Sequence, residues 1–85
     1  MRWEQEIKNY VGVVQTLRVG DVAVGNAQYN HRPGSPDGSH IAYCRLPDGQ
    51  YELGEFDSME LAKGGLEKAV KAWFKRAGFP LQGAN

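Results

Sequence analysis

The side chains with the most potential for catalysis are His40 and Cys44, which lie four positions apart in a stretch with strand-like composition. In a strand these two residues share a face but stand roughly 13 Å apart, at about 3.3 Å per residue, which is too far for a nucleophile and its base. With His31 they make a set of possible metal ligands, but without the spacing of known zinc sites. We therefore expect no enzyme, no metal and no cofactor, and we expect Cys44 to be a small buried thiol.

The sequence motifs for nucleotide binding are also incomplete. Residues 20–27 contain two glycines at the spacing of a phosphate loop, but they lack the Lys-Ser or Lys-Thr pair that would hold phosphate and magnesium. The chain has no G-x-G, C-x-x-C or H-E-x-x-H motif. These observations favour a binding protein over an enzyme.

The tyrosines of the predicted strands are the leading candidates for a binding surface. Tyr29, Tyr43 and Tyr51 come one from each of three predicted strands, and we expect them to line up across an open sheet face. Aromatic residues in this arrangement either stabilise the sheet alone, by about 0.2–1 kcal/mol per pair, or form a platform for a partner. The predicted protein-binding set adds three polar or basic residues: His31, Arg32 and Arg45.

The basic side of the C-terminal segment is the alternative binding surface. Lys68, Lys71 and Lys75 share one side of a predicted helix, which is either a solvated face or a surface for phosphate or an acidic partner. Residues 1–57 are net acidic and residues 58–85 are net basic, in a chain whose formal charge is zero. Because dedicated nucleic-acid binders more often have a basic total, this balance favours a protein partner, with nucleic acid as the alternative.

Length and composition predict one small globular domain. The chain has 85 residues, of which 41% are hydrophobic and 24% charged. We expect a single domain over residues 1–85, with an ordered core of about residues 3–79. No apolar stretch approaches the length of a membrane span, and a single cysteine excludes an intramolecular disulfide, so we expect a cytoplasmic protein without membrane contact.

The first segment is predicted to be a helix. Apolar residues recur at helical spacing from Trp3 through Ile7 to Leu17, and Gly20 is placed to end the helix. A long strand is the competing prediction, because the segment is rich in β-branched residues and contains Gly12.

The middle of the chain predicts strands at residues 21–30, 40–46 and 50–56. A polar loop over residues 30–39 and a tight turn at residues 47–49 separate them. The alternation of apolar residues is irregular in the third of these strands, which predicts a bulge or a fraying end.

The last element is predicted to be a helix with clear ends. Asp57 with Glu60 forms a capping box at its start, and Gly78 is placed to stop it. The pair Gly64-Gly65 is an anomaly, since each glycine costs about 1 kcal/mol against alanine inside a helix. Either another backbone or side chain approaches closely there, or the helix is locally soft.

The predicted fold class is α+β with the order α-β-β-β-α, a three-stranded antiparallel sheet with both helices on one face.

This element order resembles the double-stranded RNA-binding domain. The resemblance rests on the order itself, on the Gly-Ser-His of residues 38–40 before the second strand, and on the Ser-Met-Glu-Leu-Ala-Lys of residues 58–63 at the start of the last helix. It implies that His40 contacts an RNA minor groove and that Lys63 contacts phosphate. The alternative nucleic-acid-binding set is therefore His40, Lys63, Lys68, Lys71 and Lys75.

A looser resemblance starts at residues 54–58, Gly-Glu-Phe-Asp-Ser, which lead into the last helix. This junction is similar to those of small proteins encoded by phages and mobile elements, including inhibitors of the anti-CRISPR type. The resemblance implies a non-enzymatic accessory or inhibitory protein that acts by binding another protein. Neither the partner nor the oligomeric state follows from the sequence.

Overall fold

The N-terminal part of the chain folds as a β-meander. In the computed structural model, which describes residues 1–78, β1 (Arg2–Lys8), β2 (Gly12–Val19) and β3 (Val22–Tyr29) pair antiparallel in sequence order. β4 (His40–Cys44) and β5 (Glu52–Phe56) complete a five-stranded sheet of order β1-β2-β3-β4-β5. One helix, α1 (Met59–Ala77), follows β5 within the described residues.

The predicted α-β-β-β-α fold is wrong because the first segment forms a hairpin. Residues 9–11 form a turn, and Gly12 enters β2 with a φ of 84°, which no α-helix contains. Trp3 then lies opposite Leu17, so the apolar stripe that indicated a helix is divided between two paired strands. Within residues 1–78 the sheet has five strands where three were predicted, and one helix covers it. The two-helix topology that the resemblance to the RNA-binding domain implied is not formed.

Helix α1 lies close to its predicted position but begins one residue later. Ser58, and not Asp57, is the N-cap, and its Oγ accepts the N–H of Leu61 at 3.1 Å. Glu60 therefore does not stand at the capping-box position. Gly78 ends the helix as predicted, with a φ of 79° and its N–H directed at the carbonyl of Lys75. The expected irregularity of β5 is also present, as a register shift beside Gly54.

Helix α1 packs on one face of the sheet, over β3, β4 and β5. Gly25 allows this close approach, because a Cβ there would lie 2.9 Å from Cδ1 of Leu66. The hydrophobic core between the helix and the sheet consists of Leu17, Val24, Ala27, Ala42, Cys44, Ala62, Leu66 and Val70. Nε1 of Trp3 donates to Oε2 of Glu67 at 2.6 Å and ties β1 to the helix. No helix in residues 1–78 is long and apolar enough to cross a bilayer.

Candidate functional site

Alternate residues of the strands project away from α1 and form what we call the open face. Its side chains include Glu4, Glu6, Val14, Thr16, Arg18, Asn26, Gln28, Ile41, Tyr43 and Glu52. Val14 and Ile41 are only 3% and 1% exposed, although neither belongs to the core beneath α1. The open face is therefore a polar surface built around two buried aliphatic side chains.

A depression of about 300 Å³ lies on the open face where β3 and β4 meet the 30–39 loop. Gln28, Ile41 and Tyr43 form its sheet side, and Asn30 and Arg32 close the loop side. These residues combine amide, phenol and guanidinium groups around an aliphatic floor. Such a mixture fits the recognition of another protein, in which aromatic and arginine side chains carry much of the binding energy.

Tyr43 and Tyr51 stack beside this depression. Their ring centroids are 5.0 Å apart with an interplanar angle of 37°, and the Tyr51 side chain is one of the most exposed apolar groups at 58%. Tyr29 does not join them, so the predicted line of three tyrosines is wrong. It pairs with His40, three residues before Tyr43, and this odd separation sends its ring to the other side of the sheet.

The 30–39 loop is anchored by a buried asparagine. Asn30 is 3% exposed, and its Nδ2 donates to Oε2 of Glu55 at 2.8 Å and to Oγ of Ser39 at 3.2 Å. Its Oδ1 accepts the backbone N–H of Arg32 at 3.1 Å. The next residue, His31, contacts the carbonyl of Val11 through Nε2 at 2.8 Å. Hydrogen bonds thus fix both ends of the loop.

Arg32 is oriented on the open face by Glu52 of β5. Nη1 of Arg32 donates to Oε2 of Glu52 at 2.9 Å, and its second Nη donates to the other carboxylate oxygen. This two-point contact holds the pKa of Glu52 below its ordinary value and raises that of Arg32. The guanidinium lies beside Tyr43 in this arrangement.

A second depression, of about 190 Å³, lies on the open face nearer the β2–β3 turn. Basic side chains of Lys8, Arg18 and Arg45 line it together with Asn26. Arg18 donates to Glu4, and this contact lowers the pKa of the carboxyl group. Arg45 is exposed and has no carboxylate partner within residues 1–78. Oδ1 of Asn26 is buried and has no hydrogen-bond partner in that part of the chain.

The predicted nucleic-acid set is divided between three places. Lys68, Lys71 and Lys75 are exposed on the side of α1 that faces away from the sheet. Lys63 lies on another side, 5.0 Å from the centre of the Trp3 ring and 3.8 Å from Glu60. His40 contacts Tyr29 edge to face, with centroids 5.6 Å apart, and its Nδ1 lies 2.7 Å from the carbonyl of Gly38. The lysines that face solvent are therefore the part of the set that a phosphate backbone could meet together.

Cys44 is buried in the core, at 4% exposure, opposite Gly25. His40 shares its strand and face at the far end, as the spacing predicted. No group of three or more His, Cys, Asp or Glu residues in the described part of the chain could hold a metal ion.

Sequence reasoning missed the residues that orient the site. Glu52 and Asn30 hold Arg32 and the loop, and Asn26 lines the second depression. The alternation within β5 pointed to an irregular strand but not to which residue would reach Arg32. Only the register of the strands brings these residues together, and the sequence has no local signal for it.

Known proteins indicate no family for this chain. No protein family, curated protein or solved structure gives a significant match to the chain. The likeness to small inhibitors of phages and mobile elements stays a hypothesis from the sequence.

Proposed function

We propose that this protein acts by binding another protein through the open face and the 30–39 loop, without catalysis. The observation that carries the proposal is that α1 covers one face of the sheet and leaves the other exposed, with the Tyr43–Tyr51 stack beside a polar depression. A surface with exposed aromatic rings and preoriented arginine has the composition of an interface centre. An accessory or inhibitory role in the cytoplasm fits its small size and single buried thiol.

The charges of the open face favour a protein over a nucleic acid. Glu4, Glu6 and Glu52 are interspersed with Arg18 and other basic side chains, and several of them form ion pairs. A polyanion would meet these carboxylates at the same time as the arginines, and repulsion would offset the attraction. A protein surface carries charges of both signs and is able to complement this pattern.

Duplex nucleic acid is the second candidate partner, and the outer side of α1 is the observation that favours it. Lys68, Lys71 and Lys75 recur there at the spacing of successive turns. These ammonium groups could follow a phosphate backbone without involving the open face. The two proposals therefore place the partner on opposite sides of the molecule.

The variant Tyr43→Ala tests the open-face proposal. The affinity for the partner should fall roughly 30-fold, because truncation of a central aromatic anchor costs about 2 kcal/mol or more. Partners are captured from lysate with the unaltered protein, identified by mass spectrometry and titrated by calorimetry. The matched control is Tyr10→Ala, since Tyr10 is 98% exposed on the β1–β2 turn, outside the open face.

Circular dichroism establishes that both variants fold. Equal partner affinity for Tyr43→Ala and the unaltered protein would exclude the open face as the binding surface. Anisotropy titrations with labelled RNA and DNA duplexes complete the test. Binding of a duplex that weakens steeply with salt and is lost in Lys71→Glu would mean that the outer side of α1 is the binding surface.

A further inference from the structure

A groove runs between β5 and the N-terminal half of α1, on the helix side of the sheet and away from the open face. Phe56 and Leu61 form its apolar walls, Gly64 and Gly65 expose helix backbone in it, and Asp57 and Glu60 stand at its rim. It is an open depression of about 500 Å³, and Leu61 is 56% exposed there. We call it the β5–α1 groove.

The two glycines of the groove differ in what surrounds them. A Cβ on Gly65 would lie 2.6 Å from Cζ of Phe56, so internal contacts with the aromatic ring explain this glycine. A Cβ on Gly64 would meet no atom of residues 1–78 within 4 Å. Gly64 also has no positive φ, so neither backbone conformation nor internal contact requires a glycine there. It therefore weakens the helix and leaves bare backbone at the groove surface.

The strand that borders the groove has a free edge. β5 lies at the end of the sheet and pairs only with β4 among the described strands. Its outward N–H and C=O groups are able to bind an added strand. Successive side chains of such a strand alternate between faces, so every second one would point toward the groove.

The rim of the groove is acidic where an added strand would enter. Asp57 has no cationic partner in residues 1–78, and the Glu60 side chain is 85% exposed with Lys63 3.8 Å away. Lys68, at the border between the outer side of α1 and the groove, is the basic residue farther along the helix. The combination of an apolar floor and an acidic entrance complements a segment that carries apolar and basic side chains.

We propose that the β5–α1 groove docks an extended protein segment that adds to the edge of β5, inserts an apolar side chain between Phe56 and Gly64, and places a Lys or Arg beside Asp57 and Glu60. Close approach to the backbone of Gly64 accounts for a glycine that no contact within the described residues explains. This site is separate from the open face and does not depend on its function.

The test is a selection from a library of random peptides of about ten residues against the immobilised full chain. Enriched peptides should alternate apolar residues with Lys or Arg, and their titration should shift the amide NMR signals of residues 52–56 and 61–65. The variant Gly64→Leu fills the groove, and we expect it to weaken these peptides roughly tenfold or more while keeping the fold. Ala72→Leu adds an apolar side chain to the exposed helix surface outside the groove without a change of charge, and affinity should stay within about twofold.

Two further variants separate a loss of peptide binding from a disturbed helix and test the role of the acidic rim. Gly64→Ala replaces Gly64→Leu if circular dichroism shows that the larger residue disturbs the helix, and it should raise the midpoint of urea unfolding while lowering peptide affinity. Asp57→Asn should weaken basic peptides and leave apolar ones unchanged. A library without binders, binders that ignore both Gly64 variants, or binders lost only in Tyr43→Ala would each overturn the groove proposal.

Discussion

The two faces of the sheet are held by different interactions. On the helix side, fully buried aliphatic groups meet at close range, as where Leu66 approaches Gly25. On the open side, contacts are mostly polar, such as Arg32 with Glu52 and the hydrogen bonds of Asn30. The first kind of contact is sensitive to every added or removed atom, and the second is sensitive to charge.

This difference indicates which face contributes more to stability. Burial of apolar area contributes about 25 cal/mol per Å², whereas an exposed ion pair contributes about 0–1 kcal/mol. Substitutions should therefore cost most beneath α1, less at the buried asparagine of the loop, and least among the exposed charges. Stability measurements on each region test that order.

Gly25→Ala is expected to cause the largest loss of stability. A Cβ at this position would overlap the backbone oxygen of Tyr43 and lie 2.9 Å from Leu66 Cδ1. Because the first atom belongs to the sheet backbone and the second to a buried side chain, neither moves aside without strain. We expect the free energy of unfolding to fall by about 3 kcal/mol, measured by urea unfolding with tryptophan fluorescence.

The control for this prediction is Gly64→Ala, which makes the same chemical change where a Cβ meets no atom of the described residues within 4 Å. It should stabilise the protein by about 1 kcal/mol, because alanine is the better helix former. Similar losses of stability in both variants would mean that Gly25 is not a point of close approach between the sheet and α1. The two faces would then not differ in how sensitive their packing is to an added atom.

Asn30→Ala is expected to have an intermediate effect. The change removes the hydrogen bonds to Glu55, Ser39 and the N–H of Arg32, and it leaves partly buried groups unpaired. We expect a loss of about 2 kcal/mol and faster amide hydrogen exchange of Arg32. Asn9→Ala, on the exposed β1–β2 turn, should stay within about 0.5 kcal/mol. Unchanged exchange at Arg32 would show that the loop is held by other contacts.

The C-terminal half of the fold could be predicted from the sequence because its signals are local. Gly78 ends α1 as its position indicated, and the strands around residues 21–56 follow from alternation and turn residues. The first segment was wrongly predicted as a helix, with a long strand as the competing prediction, because Trp3, Ile7 and Leu17 satisfy helical spacing and also fall on one side of a hairpin. The pairing of β1 with β2 selects the hairpin over the helix, and this pairing is a tertiary interaction.

The candidate site could be predicted only in part for the same reason. Tyr43 and Tyr51 were expected together and do stack, because they follow each other across a short hairpin. Tyr29 is separated from them by strand parity, which depends on the register of β3 with β4. The Gly64-Gly65 anomaly was visible in the sequence, but only the position of the Phe56 ring distinguishes the two glycines.

The acid sensitivity of the open face follows from the direction of its pKa shifts. Arg18 lowers the pKa of Glu4, and Arg32 lowers that of Glu52, from an ordinary value of 4.5. A carboxyl group with a depressed pKa in the folded state binds fewer protons there than in the unfolded chain. Its contribution is complete above pH 4.5 and disappears as the pH falls through the lower folded value.

Glu52→Gln is expected to have the smallest effect and to depend on pH. At pH 7 the variant should lose little stability, because the pair with Arg32 is exposed to solvent and screened. Between pH 5 and pH 3 the unaltered protein should lose more stability than the variant, since the variant no longer has this carboxylate to protonate. Urea unfolding at both pH values measures the difference, and Gly25→Ala should show the same deficit at each, because its clash involves no titrating group. If Glu52→Gln lost as much stability on acidification as the unaltered protein, the Arg32–Glu52 contact would contribute nothing to the fold. The hydrogen bonds of Asn30 would then be the polar contacts that stabilise the open side of the sheet.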